Sequence, residues 1–195
     1  MTDTARTSRT ETGDDVIEVL LDQHQRIRLG MSAVLMAKGP ERREQFDEVR
    51  ALLAVHEAAE EMVLRPVSRA VAGDDIADAR NDEEHAAAEA LATLEDMDVD
   101  DPGFDPAFAR FQEDVLRHAR NEESLEFPRI RESKDLSERV ELGRMLKQVE
   151  KTAPTHPHPS TAGSTLANWT VGPFASMVDH VKDAIGSLGR HHDEH

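Results

Sequence analysis

The chain has 195 residues, enough for one domain of ordinary size with a full core and a modest appendage, and too few for two large domains. Its 40 acidic residues against 23 basic ones give a formal charge of −17, a field that repels nucleic acid and anionic membrane surfaces. Cysteine is absent, which excludes disulfides, thiolate zinc sites, iron–sulfur clusters and thiol catalysis, so any metal must be held by nitrogen and oxygen.

Ala, Leu, Glu and Arg are abundant and β-branched residues sparse, which points to an all-α fold. Residues 1–13 carry Thr, Ser, Arg and Gly without periodicity and read as a disordered arm. That arm lacks the apolar core of a secretory signal, and no run of about 18 apolar residues comes after it, so the cytoplasm is the expected compartment. Asp14 or Asp15 is a candidate N-cap for a first helix running to about Lys38, where Gly39-Pro40 stops it. A second helix runs from about Glu41 to Pro66, which should end or kink it. Gly73-Asp74 separates it from a third, about Asp75 to Met97, and the turn-rich stretch Asp98 to Gly103 leads into a fourth, about Asp105 to Glu126, closed by Pro128.

Four long helices with short connections predict an up-down-up-down four-helix bundle over residues 14–133. A C-terminal helical appendage is expected over 134–190, with a helix at about Leu136 to Val149, a Pro- and His-rich linker at Ala153 to Pro159, and a short amphipathic stretch at about Pro173 to Leu188. Trp169 is expected to anchor this appendage, and residues 191–195 form a polar tail.

Polar residues interrupt the seams that should build the core. Spacing of three and four residues gives Ile17, Leu20, His24, Ile27, Met31 and Val34 on the first helix. The second gives Phe46, Val49, Leu53, His56, Glu60, Val63 and Val67, and the fourth gives Phe104, Phe108, Phe111, Val115, His118, Glu122 and Leu125. A histidine and a glutamate one turn apart thus point inward twice, in the same order. The third helix has a noisier seam, in which His85, Ala88 and Ala92 can share a face. A buried ionised carboxylate is costly unless it is paired or bound to a metal, and metal ligation would resolve that cost for Glu60 and Glu122 together. Six histidine and carboxylate ligands exceed the usual four of one zinc ion and suit two bridged iron ions.

The pattern His24, His56-Glu57-Ala58-Ala59-Glu60, His85 and His118-Ala119-Arg120-Asn121-Glu122 resembles the hemerythrin-like family over about residues 15–130. The resemblance implies that His24, His56, His85 and His118 are terminal ligands of a non-haem di-iron centre, and that Glu60 and Glu122 bridge both ions. Oxygen-carrying members have a further histidine four residues from the third-helix one, where this chain has Asn81 and Glu89. Glu57 or Glu89 would complete the shell, with Glu57 favoured, and Glu122 is preferred over Glu123 by the seam.

An extra carboxylate should stabilise ferric iron, so the expected function is oxygen binding, or reaction with peroxide or nitric oxide, in oxidative-stress defence or oxygen sensing rather than plain carriage. Catalase-like peroxide decomposition is one form of this. Large seam residues such as Ile27, Leu53 and Phe111 would limit water entry. An iron store, or an iron sensor signalling to a protein partner through the C-terminal region, is the alternative. Tyrosine is absent, which excludes a tyrosyl radical. Asp82-x-x-His85 is a single weak echo of the Glu-x-x-His pairs of ferritin-like proteins, and His56 to Glu60 is not a His-Glu-x-x-His zinc-protease motif.

Overall fold

The computed structural model describes residues 14–151. The expected N-terminal arm, Pro/His-rich linker, Trp169, second amphipathic stretch and polar tail lie outside those residues. Helix α1 spans Val16–Met36 and is capped by Asp15, whose carboxylate accepts from the Ile17 amide at 3.0 Å. Helix α2, Gly39–Ala59, starts two residues beyond Ala37, with Pro40 in its first turn, where a missing N–H is harmless.

Neither Pro66 nor Pro128 ends its helix. Each is preceded by one π-helical turn, Glu60–Leu64 and Glu122–Glu126, after which α-helix resumes as α3, Arg65–Ala72, or α6, Phe127–Ser133. A proline ring would strike the carbonyl four residues back in a regular helix, and the widened turn gives it room. Gly73, with φ of 97°, then reverses the chain into α4, Asp74–Glu95. Helix α5, Phe104–Asn121, begins after the turn at 98–103, and α7, Leu136–Glu150, opens on a reciprocal capping box between Asp135 and Glu138.

The core falls into two apolar blocks. One gathers Val16, Ile17 and Leu20 with Val63, Val67, Phe127 and Ile130, and includes Leu142, Leu146 and Val149 of α7. The other gathers Ile27, Met31, Leu53, Leu91, Leu94 and the ring cluster Phe46, Phe104, Phe108 and Phe111. Helix α1 leaves the first block and enters the second, α2 returns, α4 goes out again and α5 returns, which is the up-down-up-down order expected. Each buried Phe or Leu is worth about 1.5–3 kcal/mol of transfer free energy, so the blocks fix the register of all four helices. Helix α7 packs into the first block and is thus part of the same core as the bundle. Gly143 lets it do so, since a Cβ there would run into the backbone of Asp14. Among the described residues no helix is long and apolar enough to cross a membrane.

Candidate metal centre

A polar layer lies between the two blocks because each helix carries polar residues where its seam passes from one block to the other. On α1, His24 stands between Leu20 and Ile27. At the end of α2 and the start of the π-helical turn after it, His56 and Glu60 stand between Leu53 and Val63. At the end of α5 and the start of its π-helical turn, His118 and Glu122 stand between Val115 and Phe127. Burial is nearly complete: His24 is 1% exposed, His56 4%, and Glu60 and Glu122 0%.

The ligand-type atoms converge in two sets. His24, His56, Glu60 and Glu122 bring one atom each within 4.8 Å of one another, and so do Glu60, Glu84, His118 and Glu122. Both sets contain Glu60 and Glu122. The two oxygens of Glu122 face different sides: Oε2 lies 3.4 Å from His24 Nε2, while Oε1 lies 3.3 Å from His118 Nε2. Glu60 Oε1 is 4.0 Å from His24 Nε2, and its Oε2 is 3.5 Å from His56 Nε2 and 4.0 Å from His118 Nε2.

His24 Nε2 and all four oxygens of Glu60 and Glu122 are buried without a hydrogen-bond partner. Native proteins leave few such atoms, and each calls for an explanation. Five of them aimed at one space fit a cation, because imidazole nitrogen and carboxylate oxygen are its ordinary donors. The outward-facing ring nitrogens agree. His24 Nδ1 lies 2.8 Å from Glu123 Oε1, His118 Nδ1 3.0 Å from Glu83 Oε2, and His56 Nδ1 2.6 Å from Gln23 Oε1. An acceptor at Nδ1 keeps its proton there and leaves the Nε2 lone pair free for a metal.

Electrostatics show how the layer tolerates its charge. Burial works against charged His24 and His118, but the neighbouring Glu122 and Glu60 outweigh it and raise both pKa values, His118 strongly. The same contacts, working against burial, hold Glu122 well below the usual carboxylate range. His56 is pushed down by burial. Arg65, 5% exposed, pairs with Glu84 and reaches Glu126 at 3.4 Å and Glu122 at 3.7 Å. Ser68 also donates to Glu126.

Helix α4 differs from expectation. His85 is 46% exposed and faces Glu89, itself 65% exposed, at 3.4 Å along the helix surface. Neither joins the layer. Glu84, 11% exposed, holds the inward position, and burial pushes its carboxyl up to about 8 in spite of Arg65. Counting back from Leu91 in steps of three and four would have found it, through Ala88 to Glu84, Arg80 and Ala77; all but Glu84, which is nearly so, are buried. Glu57 lies beside the layer and outside both converging sets. Burial pushes it up to about 8, and it lines a cavity of about 20 Å³ with His24, Ile27, Leu53, His56, Glu84 and His118. Glu123, 26% exposed, is a hydrogen-bond partner of His24 and Arg28, which leaves the inward place to Glu122.

The arrangement can bind metal cations through nitrogen and oxygen. A model of the hemerythrin HHE cation binding domain matches residues 15–130, which contain the whole layer. An uncharacterized hemerythrin-like protein of Schizosaccharomyces pombe is 25% identical over 136 residues, 68% of this chain and 67% of that protein. No solved structure matches. With more than half of its length matched and the ligand-bearing helices in the expected order, the chain belongs to the hemerythrin HHE cation-binding domain family.

Proposed function

We propose that the layer holds two iron ions and reacts there with oxygen, peroxide or nitric oxide, in oxidative-stress defence or oxygen sensing. The observation that carries this reading is the sharing of Glu60 and Glu122 between two ligand sets: Glu122 turns one oxygen to each set, and Glu60 Oε2 lies between His56 of one set and His118 of the other. His24 and His56 would serve one ion, and His118 and Glu84 the other. When bound, such a pair supplies electrons to, and takes them from, a small oxygen- or nitrogen-containing ligand.

The chain's own residues shape that chemistry. Glu84 adds a third carboxylate where an all-histidine set would be neutral, so the protein stabilises the more oxidised metal state and favours turnover over reversible carriage. The adjoining cavity of about 20 Å³ has room for about one water-sized molecule, which suits diatomic ligands and peroxide and excludes organic substrates. Ile27, Leu53, Val115 and Leu116 line it and limit water entry. Buried Arg65, beside Glu84 and Glu122, offsets part of the carboxylate charge.

The test is to load the protein with ferrous iron without oxygen, then mix it separately with oxygen, peroxide and nitric oxide while monitoring ligand-to-iron absorption. Rapid oxidation with peroxide consumption is expected. An oxygen adduct lasting hours would overturn the preference for redox chemistry over carriage.

A further inference from the structure

The three imidazoles of the layer are steadied from outside in two different ways. His24 and His118 lean on carboxylates, Glu123 and Glu83, which accept at either oxygen. His56 leans on the side-chain amide of Gln23, at 2.6 Å. An amide has an accepting end and a donating end, and only its oxygen can receive a proton from Nδ1. What fixes its orientation is the next contact: Gln23 Nε2 donates to Glu150 Oε1. A carboxylate only accepts, so Glu150 draws the NH2 group to itself and turns the oxygen of Gln23 toward His56. The proton of His56 is thereby set on Nδ1, and its Nε2 lone pair is free on the side of Glu60.

Glu150 is the last residue of α7, a helix that carries none of the converging ligands. Leu142, Leu146 and Val149 seat α7 in the first apolar block, and Gly143 holds it against the backbone of Asp14. The far end of the helix is then placed against Gln23.

We propose that Gln23 and Glu150 are positioning residues for the metal centre, and that through them cation binding at His56 and the seating of the C-terminal end of α7 reinforce each other. The coupling must run both ways, because a contact that tightens metal binding is tightened by the metal to the same degree. Occupancy of the centre is thus transmitted to the C-terminal end of α7. The inference rests on the reading of the layer as a metal centre.

The test uses the full chain with ferrous iron as the probe, under anaerobic conditions. Affinity is measured by competition with a chelator, and amide exchange is recorded over residues 142–150 with and without iron. Glu150→Leu should bind iron about 10–100-fold more weakly than wild type. Glu150→Gln retains an accepting oxygen for Gln23 and should recover most of the loss. Gln23→Leu, which leaves α7 its apolar seat, should weaken binding as much as Glu150→Leu, and the double variant should add little. Iron should slow exchange at the end of α7 in wild type and not in either single Leu variant. Unchanged affinity in Glu150→Leu or Gln23→Leu would overturn the coupling, even if exchange in α7 rises, because a purely structural contact would do only that. Failure of Glu150→Gln to rescue would overturn the hydrogen-bond route. Wild type that takes up no iron would remove the metal reading and the coupling with it.

Discussion

Replacing Glu60 by glutamine should make the metal-free protein more stable and the iron-loaded protein less so. Glu60 is fully buried, neither of its oxygens has a hydrogen-bond partner, and the imidazole nitrogens nearest to it lie at 3.5 and 4.0 Å. An unsatisfied buried polar group costs about 1–3 kcal/mol, and more when charged. Glutamine has nearly the same shape, removes the charge, and brings an NH2 group that can donate toward the oxygens of Glu122. We therefore expect metal-free Glu60→Gln to gain about 1–3 kcal/mol. For a chain of this size that is roughly 2–4 °C of melting temperature per kcal/mol. Iron at a hundredfold excess over Kd adds about 2.7 kcal/mol to wild type through linkage, and Glu60→Gln, lacking the shared carboxylate, should gain much less. The order of stability should invert between chelated and iron-loaded samples in thermal unfolding monitored by circular dichroism. A chelated Glu60→Gln protein less stable than chelated wild type would refute the reasoning, because Glu60 would then be a satisfied structural charge.

The geometry sets three further outcomes. Glu84→Ala should lower iron affinity at least as much as the loss of an outer hydrogen-bond partner does, by about 10–100-fold or more, while His85→Ala leaves chelator competition unchanged; equal loss in both would return His85 to the ligand set. Gly143→Val forces a side chain into the backbone of Asp14 and should cost about 1–3 kcal/mol in urea unfolding. The Arg42 guanidinium, buried over the Phe104 ring at 4.7 Å, donates to Asp105 and holds that carboxyl below its usual range. The stabilisation is fully present above the unfolded-state value of about 4 and is lost as pH falls through the lower folded value. Wild type should thus exceed Asp105→Asn in stability near neutrality, with the gap closing in acid.

Much of this was legible in the sequence because strong apolar contrast marks the seams. Every seam residue named on the first and second predicted helices, from Ile17 to Val34 and from Phe46 to Val67, is buried. The seam of the fourth predicted helix fails only at its end, where Leu125 is 43% exposed and Glu126 and Phe127 are buried instead. The π-helical turn that starts at Glu122 adds a residue to the repeat and brings Glu126 inward in place of Leu125, whereas in the matching turn after Glu60 both Val63 and Leu64 are buried and the count survives. Pro66 and Pro128 each stand ten residues beyond a layer histidine, and that equal spacing was the visible sign of the two widened turns. Helix α4 misled for another reason. It is rich in alanine, which fits buried and exposed faces alike, so the histidine residue type outweighed a weak periodicity that favoured Glu84. Gln23, Glu83 and Glu150 were not foreseen, because their contacts link residues on different helices. The pair Gln23 and Glu150 is 127 residues apart in sequence.

The central claim is that Glu60 and Glu122 are shared by two ions, and the most direct measurement counts them. Metal-free protein titrated anaerobically with ferrous iron, and analysed for bound iron after desalting, should retain about two ions per chain. Glu122→Ala should retain one or none, because both sites draw on that carboxylate. One iron per chain in wild type, or two retained in Glu122→Ala, would contradict the account.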